Sequence, residues 1–329
     1  MRVVALAGGV GASKLLLGLA RAMNPRNLTA IVNTGDDLSL HGLEISPDLD
    51  IVTYTLAGVV NPATGWGFDR ETFHLLEGLA IYGGPRWFNL GDRDLATHIY
   101  RTQQLRNGKT LSELADAIRK ALGVHTRIVP MSDQPVRTMI GTRRGWLQFQ
   151  EYLVKLRAKP VVREIRFEGI AKARPAPGVM EALESADRIV ICPSNPVISI
   201  GPILAVKGVR EVLRARRESV VAVCPIVGGK SLKGPSDRMM KQLGMEVSSR
   251  GVARLYQDIC GTFVIDRVDE AEAPSIEARG MRVVRGHTVM KSLADKVRMA
   301  RLVLNVSLKG RMQKGIKRGK REITARGKA

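Results

Sequence analysis

Apolar residues in this chain gather in short runs at long intervals, over residues 3–7, 28–32, 188–192, 220–224 and 262–266. Runs of this length without polar alternation read as strands buried on both faces, the pattern of a parallel sheet covered by helices. Leu-Leu-Leu-Gly-Leu-Ala at 15–20 follows the first run after a glycine turn, and a helical stretch at 49–57 follows the second after an acidic loop. Strand, turn and helix in alternation predict an α/β fold. Helical periodicity dominates from 69 to about 122, with Thr110 and Glu113 at capping-box spacing. Between 127 and 169 the period falls to two, and 136–141, 146–153 and 161–167 read as antiparallel strands of a small subdomain. The first rhythm resumes near 178. The expected division is a core of 1–65 and 178–308, an inserted helical and β subdomain of 66–177, and a tail of 309–329. Leu293, Val297, Ala300, Leu304 and Leu308 share one face of the last predicted helix and are expected to dock it on the core.

With 44% apolar and 25% charged residues the 329-residue chain has a globular composition. No apolar run approaches the ~18–20 residues that span a bilayer. Residues 3–6 read as a core strand rather than a secretion signal, so a cytoplasmic setting without a membrane partner is expected. Cys192, Cys224 and Cys260 are odd in number and far apart, and two end apolar runs, which predicts buried free thiols. The net charge of +21 favours anionic partners, and residues 309–329 alone hold nine Lys or Arg against one Glu. Aromatic residues are only 4%, too few to interleave with the basic ones for stacking, so nucleic-acid contact by the tail is expected to be nonspecific. Glycines among the basic residues of the tail predict disorder there.

Two stretches carry candidate chemistry. Gly8, Gly9, Gly11, Ser13 and Lys14 sit between the first strand and its helix, where backbone amides and a helix N-terminus meet a phosphate. The spacing matches neither G-x-G-x-x-G nor the P-loop. One strand later, Asn33-Thr-Gly-Asp-Asp and Ile45-Ser-Pro-Asp-Leu-Asp bring Asp36, Asp37, Asp48 and Asp50 into fewer than twenty residues. Any one of these reads most simply as a turn or capping residue. Four together beside a glycine turn point to a metal-phosphate site, with Mg²⁺ the hard cation that carboxylates and phosphates share. Further along, Trp66, Trp87 and Phe88 are candidates to wall a flat ring, Arg93 between two aspartates for a ligand clamp, and His98 reads as a packing residue. Ser194 and Asn195 end the 188–192 strand, where such folds bind ligands, with Lys230, Lys233 and Arg238 near the same edge.

Ile-Ser-Pro-Asp-Leu-Asp at 45–50, Gly-Asp-Arg-Asp-Leu-Ala-Thr-His at 91–98 and collinear matches over nearly the whole chain except the tail resemble the 2-phospho-L-lactate transferase (CofD) family of coenzyme F-420 biosynthesis. The resemblance implies a Rossmann-like parallel sheet with an inserted subdomain, assembled as a homodimer. It implies transfer of a phospholactyl or phosphoenolpyruvyl group from a guanosine-diphosphate conjugate to the hydroxyl of the deazaflavin Fo, with release of GMP and with Mg²⁺ as cofactor. By motif position, Asp36 and Asp50 would hold the metal and Asp50 and Arg93 would lie at the Fo acceptor. Trp87, Asp48, Met131 and Ser132 complete the candidate substrate set. Gly8, Gly9, Gly11, Ser13, Lys14, Ser194 and Asn195 would hold the nucleotide. Asp48 and Asp50 are both candidates to accept the hydroxyl proton. A non-catalytic nucleotide-sugar-binding protein of the same superfamily is the alternative, and it leaves 48–50 and 91–98 without a role. A dehydrogenase is disfavoured by the loop spacing.

Overall fold

The computed structural model describes residues 1–307. Seven strands form one parallel sheet in the order Arg282–Gly286, Thr262–Asp266, Val220–Val223, Arg188–Ile191, Val3–Ala7, Leu28–Val32 and Arg127–Pro130. Counted along the chain this is 3-2-1-4-5-6-7, the dinucleotide-binding order with one strand added. The strand order reverses between Val3–Ala7 and Arg188–Ile191, and that is where such a sheet opens a crevice.

Alternation along a single strand explains the burial on both faces. Val4 and Leu6 pack into one core with Ile31, Ile189 and Ile191, while Val3, Ala5 and Ala7 pack into another with Leu28, Ala30 and Val190. Side chains of successive residues leave opposite faces of a strand, so an unbroken apolar run serves two cores at once. Cys192, Cys224 and Cys260 are buried and free, and burial pushes all three thiols up. Among the described residues no helix is long and apolar enough to cross a membrane.

The span 66–177 holds the expected helices, His74–Ile81, Asp92–Arg106 and Leu111–Ala121, the last opened by the full Thr110–Glu113 capping box. It also holds a three-stranded antiparallel sheet of Gly145–Gln148, Arg137–Thr142 and Glu164–Glu168. It is not a separate insert. Arg127–Pro130 lies inside it and pairs in parallel with Leu28–Val32 as the edge of the main sheet. The last helix, Leu293–Asn305, docks through Met299, Ala300 and Val303, whereas Leu293 is half exposed. The buried stripe is therefore rotated from the expected one, around the shared Ala300. Leu308 and the basic tail lie outside the described residues.

Candidate active site

Val3–Ala7 runs directly into the helix Gly9–Ala22, so the glycine turn is compressed into the helix start. Gly9 has φ +71°, a conformation costly for any residue with a Cβ. A Cβ on Gly11 would lie 2.2 Å from the Pro193 carbonyl oxygen, so only glycine lets the ends of the first and fourth strands meet. The turn is braced from both sides. The Gly9 N–H donates to Asp48 Oδ1 at 2.8 Å, Asn33 Nδ2 donates to Asp48 Oδ2 at 2.9 Å, and Ser194 Oγ donates to the Gly8 carbonyl at 2.8 Å. Ser13 is turned inward and its hydroxyl donates to the Val10 carbonyl. Lys14 lines the crevice half-buried. Burial, and then Lys233 and Lys296, hold its ammonium below the usual lysine range.

Three of the four acidic residues, Asp36, Asp48 and Asp50, line the same crevice. Asp36 and Asp37 leave the Leu28–Val32 strand, and Asp48 and Asp50 occupy the first turn of the helix Pro47–Ala57, where the helix dipole favours negative charge. All four are buried. Burial raises Asp36 well above the carboxylate range, Asp48 and Asp37 add to the rise, and a hydrogen bond from Asn33 opposes it. Asp48 is pushed up to about 6 by burial, against the Asn33 and Gly9 donors. Asp37 reaches about 8 for the same first reason. Arg137 and the Ser46 hydroxyl work against that rise, and Asp37 does not line the crevice.

Asp50 is the end of a buried polar chain. One of its oxygens pairs with Arg101, and the other lies 3.7 Å from His98 Nδ1. Arg101 Nη1 also lies 3.2 Å from His98 Nδ1, and a guanidinium can only donate. Nδ1 therefore accepts, which puts a ring proton on Nε2, 3.4 Å from Asp94 Oδ1. The Tyr54 hydroxyl donates to the same Asp94 oxygen at 2.8 Å. Burial raises Asp50, with Arg101 and His98 opposing it and Asp94 adding to it. Burial also works to raise Asp94, but His98 beside it and the hydrogen bond from Tyr54 prevail and leave it lowered.

Tyr54, Asp94 and Arg101 were not among the sequence candidates, and His98 was expected only to pack. Their signal lies in spacing. Asp94, His98 and Arg101 stand at i, i+4 and i+7 of one helix, and Asp50 and Tyr54 at i and i+4 of another, so each set makes a polar stripe on one face. The two stripes face each other across the protein interior.

These elements enclose a cavity of about 710 Å³, lined by Gly8, Gly9, Gly11, Lys14, Ser194 and Asn195 and by Asp36, Asp50, Asp94 and His98, with Asp48 joining the two sets at the Gly9 amide. Trp66, Phe88 and Phe149 contribute apolar walls. Besides the inward-turned Ser13, four expected site residues lie elsewhere. Arg93 precedes Asp94 by one position, about a quarter-turn around the helix, so it points to solvent and donates to the Asp69 carbonyl. Trp87 packs edge-on against Phe88 over the cluster of Leu38, Ile45, Leu90 and Leu95. Met131 is buried in the main core, and the Ser132 hydroxyl turns to Gln134 at 3.2 Å. Asn195 lines the cavity, but its Oδ1 accepts from the Val197 N–H.

Asp36 Oδ1 and Asp50 Oδ2 are buried and have no hydrogen-bond partner among the described residues. Free carboxylate oxygens lining one cavity are the ligands a hard divalent cation takes. Ligand atoms of Asp50, Asp94 and His98 also lie within 4.8 Å of one another.

Residues 3–302 match the family model of 2-phospho-L-lactate transferase CofD. The chain belongs to the CofD family. A phosphoenolpyruvate transferase of Streptomyces griseus is 44% identical over 313 residues, covering 93% of this chain and 98% of that protein. A 2-phospho-L-lactate transferase of Methanosarcina mazei is 39% identical and covers 92% and 99%. Among solved structures, a UPF0052-family protein of Bacillus halodurans superposes with a TM-score of 0.61 at 16% identity, covering 92% of this chain and 98% of that one. At that identity the likeness concerns the fold. Membership in CofD makes the chain a transferase of the phospholactate and phosphoenolpyruvate class.

Proposed function

We propose that this CofD transferase moves a phosphoenolpyruvyl or phospholactyl group from a guanosine-diphosphate conjugate to the hydroxyl of the deazaflavin Fo, releasing GMP, in coenzyme F-420 biosynthesis. The observation that carries the reading is a single cavity lined both by a lysine-bearing glycine turn and by buried carboxylates. Lys14 and the glycine-turn amides suit a diphosphate, and Asp50 offers a buried carboxylate oxygen with no donor among the described residues. The Fo hydroxyl attacks the phosphorus bearing the three-carbon acid, forming one P–O bond as the diphosphate bridge breaks. GMP takes the bond pair, and the hydroxyl proton goes to a carboxylate.

Both oxygens of Asp48 are occupied by donors, so Asp50 is the acceptor of that proton. Burial raises its proton affinity, and Arg101 on its other oxygen fixes its direction. Lys14 and the turn amides neutralise charge on the departing phosphate. Trp66 and Phe88 suit the flat ring of the acceptor. Asp36 would hold Mg²⁺, which when bound supplies charge neutralisation at the phosphoryl oxygens, and the open Asp50 oxygen is left to the proton. Homodimer assembly and a cytoplasmic setting belong to the same proposal, the first checked by light scattering.

The test is turnover of Fo with each guanosine donor, with and without Mg²⁺, followed by chromatography of the deazaflavin product. Wild type should form product only with Mg²⁺. Asp50→Asn, with its fold checked by circular dichroism, should be slower by about 10²–10⁴-fold. Tight nucleotide binding without product from any donor would leave a non-catalytic nucleotide-binding protein instead.

A further inference from the structure

Two loops meet over the glycine turn, and one lysine joins them. Residues 61–67 fold into a tight turn in which the Gly65 N–H donates to the Asn61 carbonyl at 2.8 Å and the Thr64 hydroxyl donates to the Trp66 carbonyl at 2.7 Å. From across the cavity, Lys233 Nζ donates to the Thr64 backbone carbonyl at 2.8 Å. Gly65 lies at the junction, where a Cβ would be 3.0 Å from Val10 of the glycine turn and 3.5 Å from Lys233 Nζ. The Lys233 ammonium thus hangs over the phosphate end of the cavity, on the same side as Lys14. Among the described residues neither lysine has a carboxylate within ion-pair distance. Two cations without counter-charges beside backbone amides call for a ligand carrying at least two negative charges. A neutral carbonyl is a weaker partner for an ammonium than a phosphate oxygen, so the Lys233–Thr64 bond is one an anion can replace.

We propose that Lys233 is a substrate-responsive strap. It ties the 61–67 turn across the cavity, and on arrival of a diphosphate it transfers its hydrogen bond from the Thr64 carbonyl to a phosphate oxygen, becoming the second phosphate cation of the site. The inference rests on the guanosine-diphosphate donor reading above. Trp66 lies two residues from the strap's anchor and lines the cavity, so its fluorescence reports the exchange.

The experiment titrates GDP, inorganic pyrophosphate and guanosine into wild type, Lys233→Met, Lys233→Arg and Trp66→Phe, with calorimetry and tryptophan emission as readouts and turnover measured in parallel. Lys233 is exposed, so Lys233→Met removes the charge without opening the core. The expected result is about ten- to a hundredfold weaker binding of GDP and pyrophosphate by Lys233→Met. Guanosine binding should be unchanged, Lys233→Arg should recover part of the affinity, and the anion-dependent emission change should vanish in Trp66→Phe. GDP binding and turnover in Lys233→Met equal to wild type would overturn the strap alone. Wild type that binds neither GDP nor pyrophosphate would overturn the donor reading, and the strap with it.

Discussion

Carboxylates in two parts of this molecule have opposite electrostatics for one structural reason. At the end of the Thr262–Asp266 strand, Asp266 accepts from the Thr288 N–H and hydroxyl with one oxygen and from the Val268 N–H with the other. Burial works to raise it, but these donors hold it below the usual range. Asp295 closes the capping box of the last helix by accepting from the Lys291 and Ser292 N–H groups, and it too is held low, by its bonds to Ser292 first. In the cavity wall, Asp36 and Asp50 are buried with an oxygen that nothing donates to among the described residues, and both are raised. A carboxylate surrounded by donors completes the fold. One left short of donors in a cavity weakens the fold and is ready for a ligand.

The comparison breaks most sharply at Arg101, the largest fully buried side chain. Arg101→Met would leave the Asp50 charge buried and uncompensated and should cost about 3–5 kcal/mol of stability in urea denaturation, with activity lost. Asp36→Asn should separate the two properties. Removing a raised, undersupplied carboxylate is expected to increase the melting temperature while lowering Mg²⁺-dependent turnover by about 10²-fold.

The pH dependence of stability should run in opposite directions for the two kinds of carboxylate. The folded-state value of Asp37 lies at about 8, above its unfolded value, so its contribution is full below about pH 4 and lost as pH rises through 8. Urea melts across pH 5–8 should therefore show Asp37→Asn gaining on wild type by about 1–3 kcal/mol as pH rises. Asp266 is depressed, so its contribution is present above about pH 4 and lost as pH falls through its folded value. The deficit of Asp266→Asn should accordingly shrink in acid, and a deficit that grows there would refute the assignment. The smallest effect is expected at the helix cap, where Ser292→Ala should cost about 1 kcal/mol in thermal melts and leave turnover unchanged.

Most of the sheet was legible along the chain, because each central strand must be apolar on both faces and few other elements demand that. The acidic cluster was legible because Asp36 and Asp37 follow the Leu28–Val32 strand closely and Asp48 and Asp50 open the next long helix. The roles within it were not. Asp48 and Asp50 look alike in Ile-Ser-Pro-Asp-Leu-Asp, yet one turns to the Gly9 amide and the other to Arg101. Positions 91–98 showed a related ambiguity, since Arg93 and Asp94 are adjacent and only the helix's orientation decides which faces the cavity.

The chain by itself determined what depends on near neighbours. The glycine turn follows from steric freedom at a strand–helix junction, and the Thr110–Glu113 cap from donors three residues away. The free buried thiols follow from where the cysteines fall in apolar runs. Only the tertiary structure decided which charges meet. Asp50 and Arg101 are 51 positions apart, Gly8 and Ser194 186, and Thr64 and Lys233 169. The strength of such a pair depends on burial and distance, and neither exists until the sheet has brought the loops together.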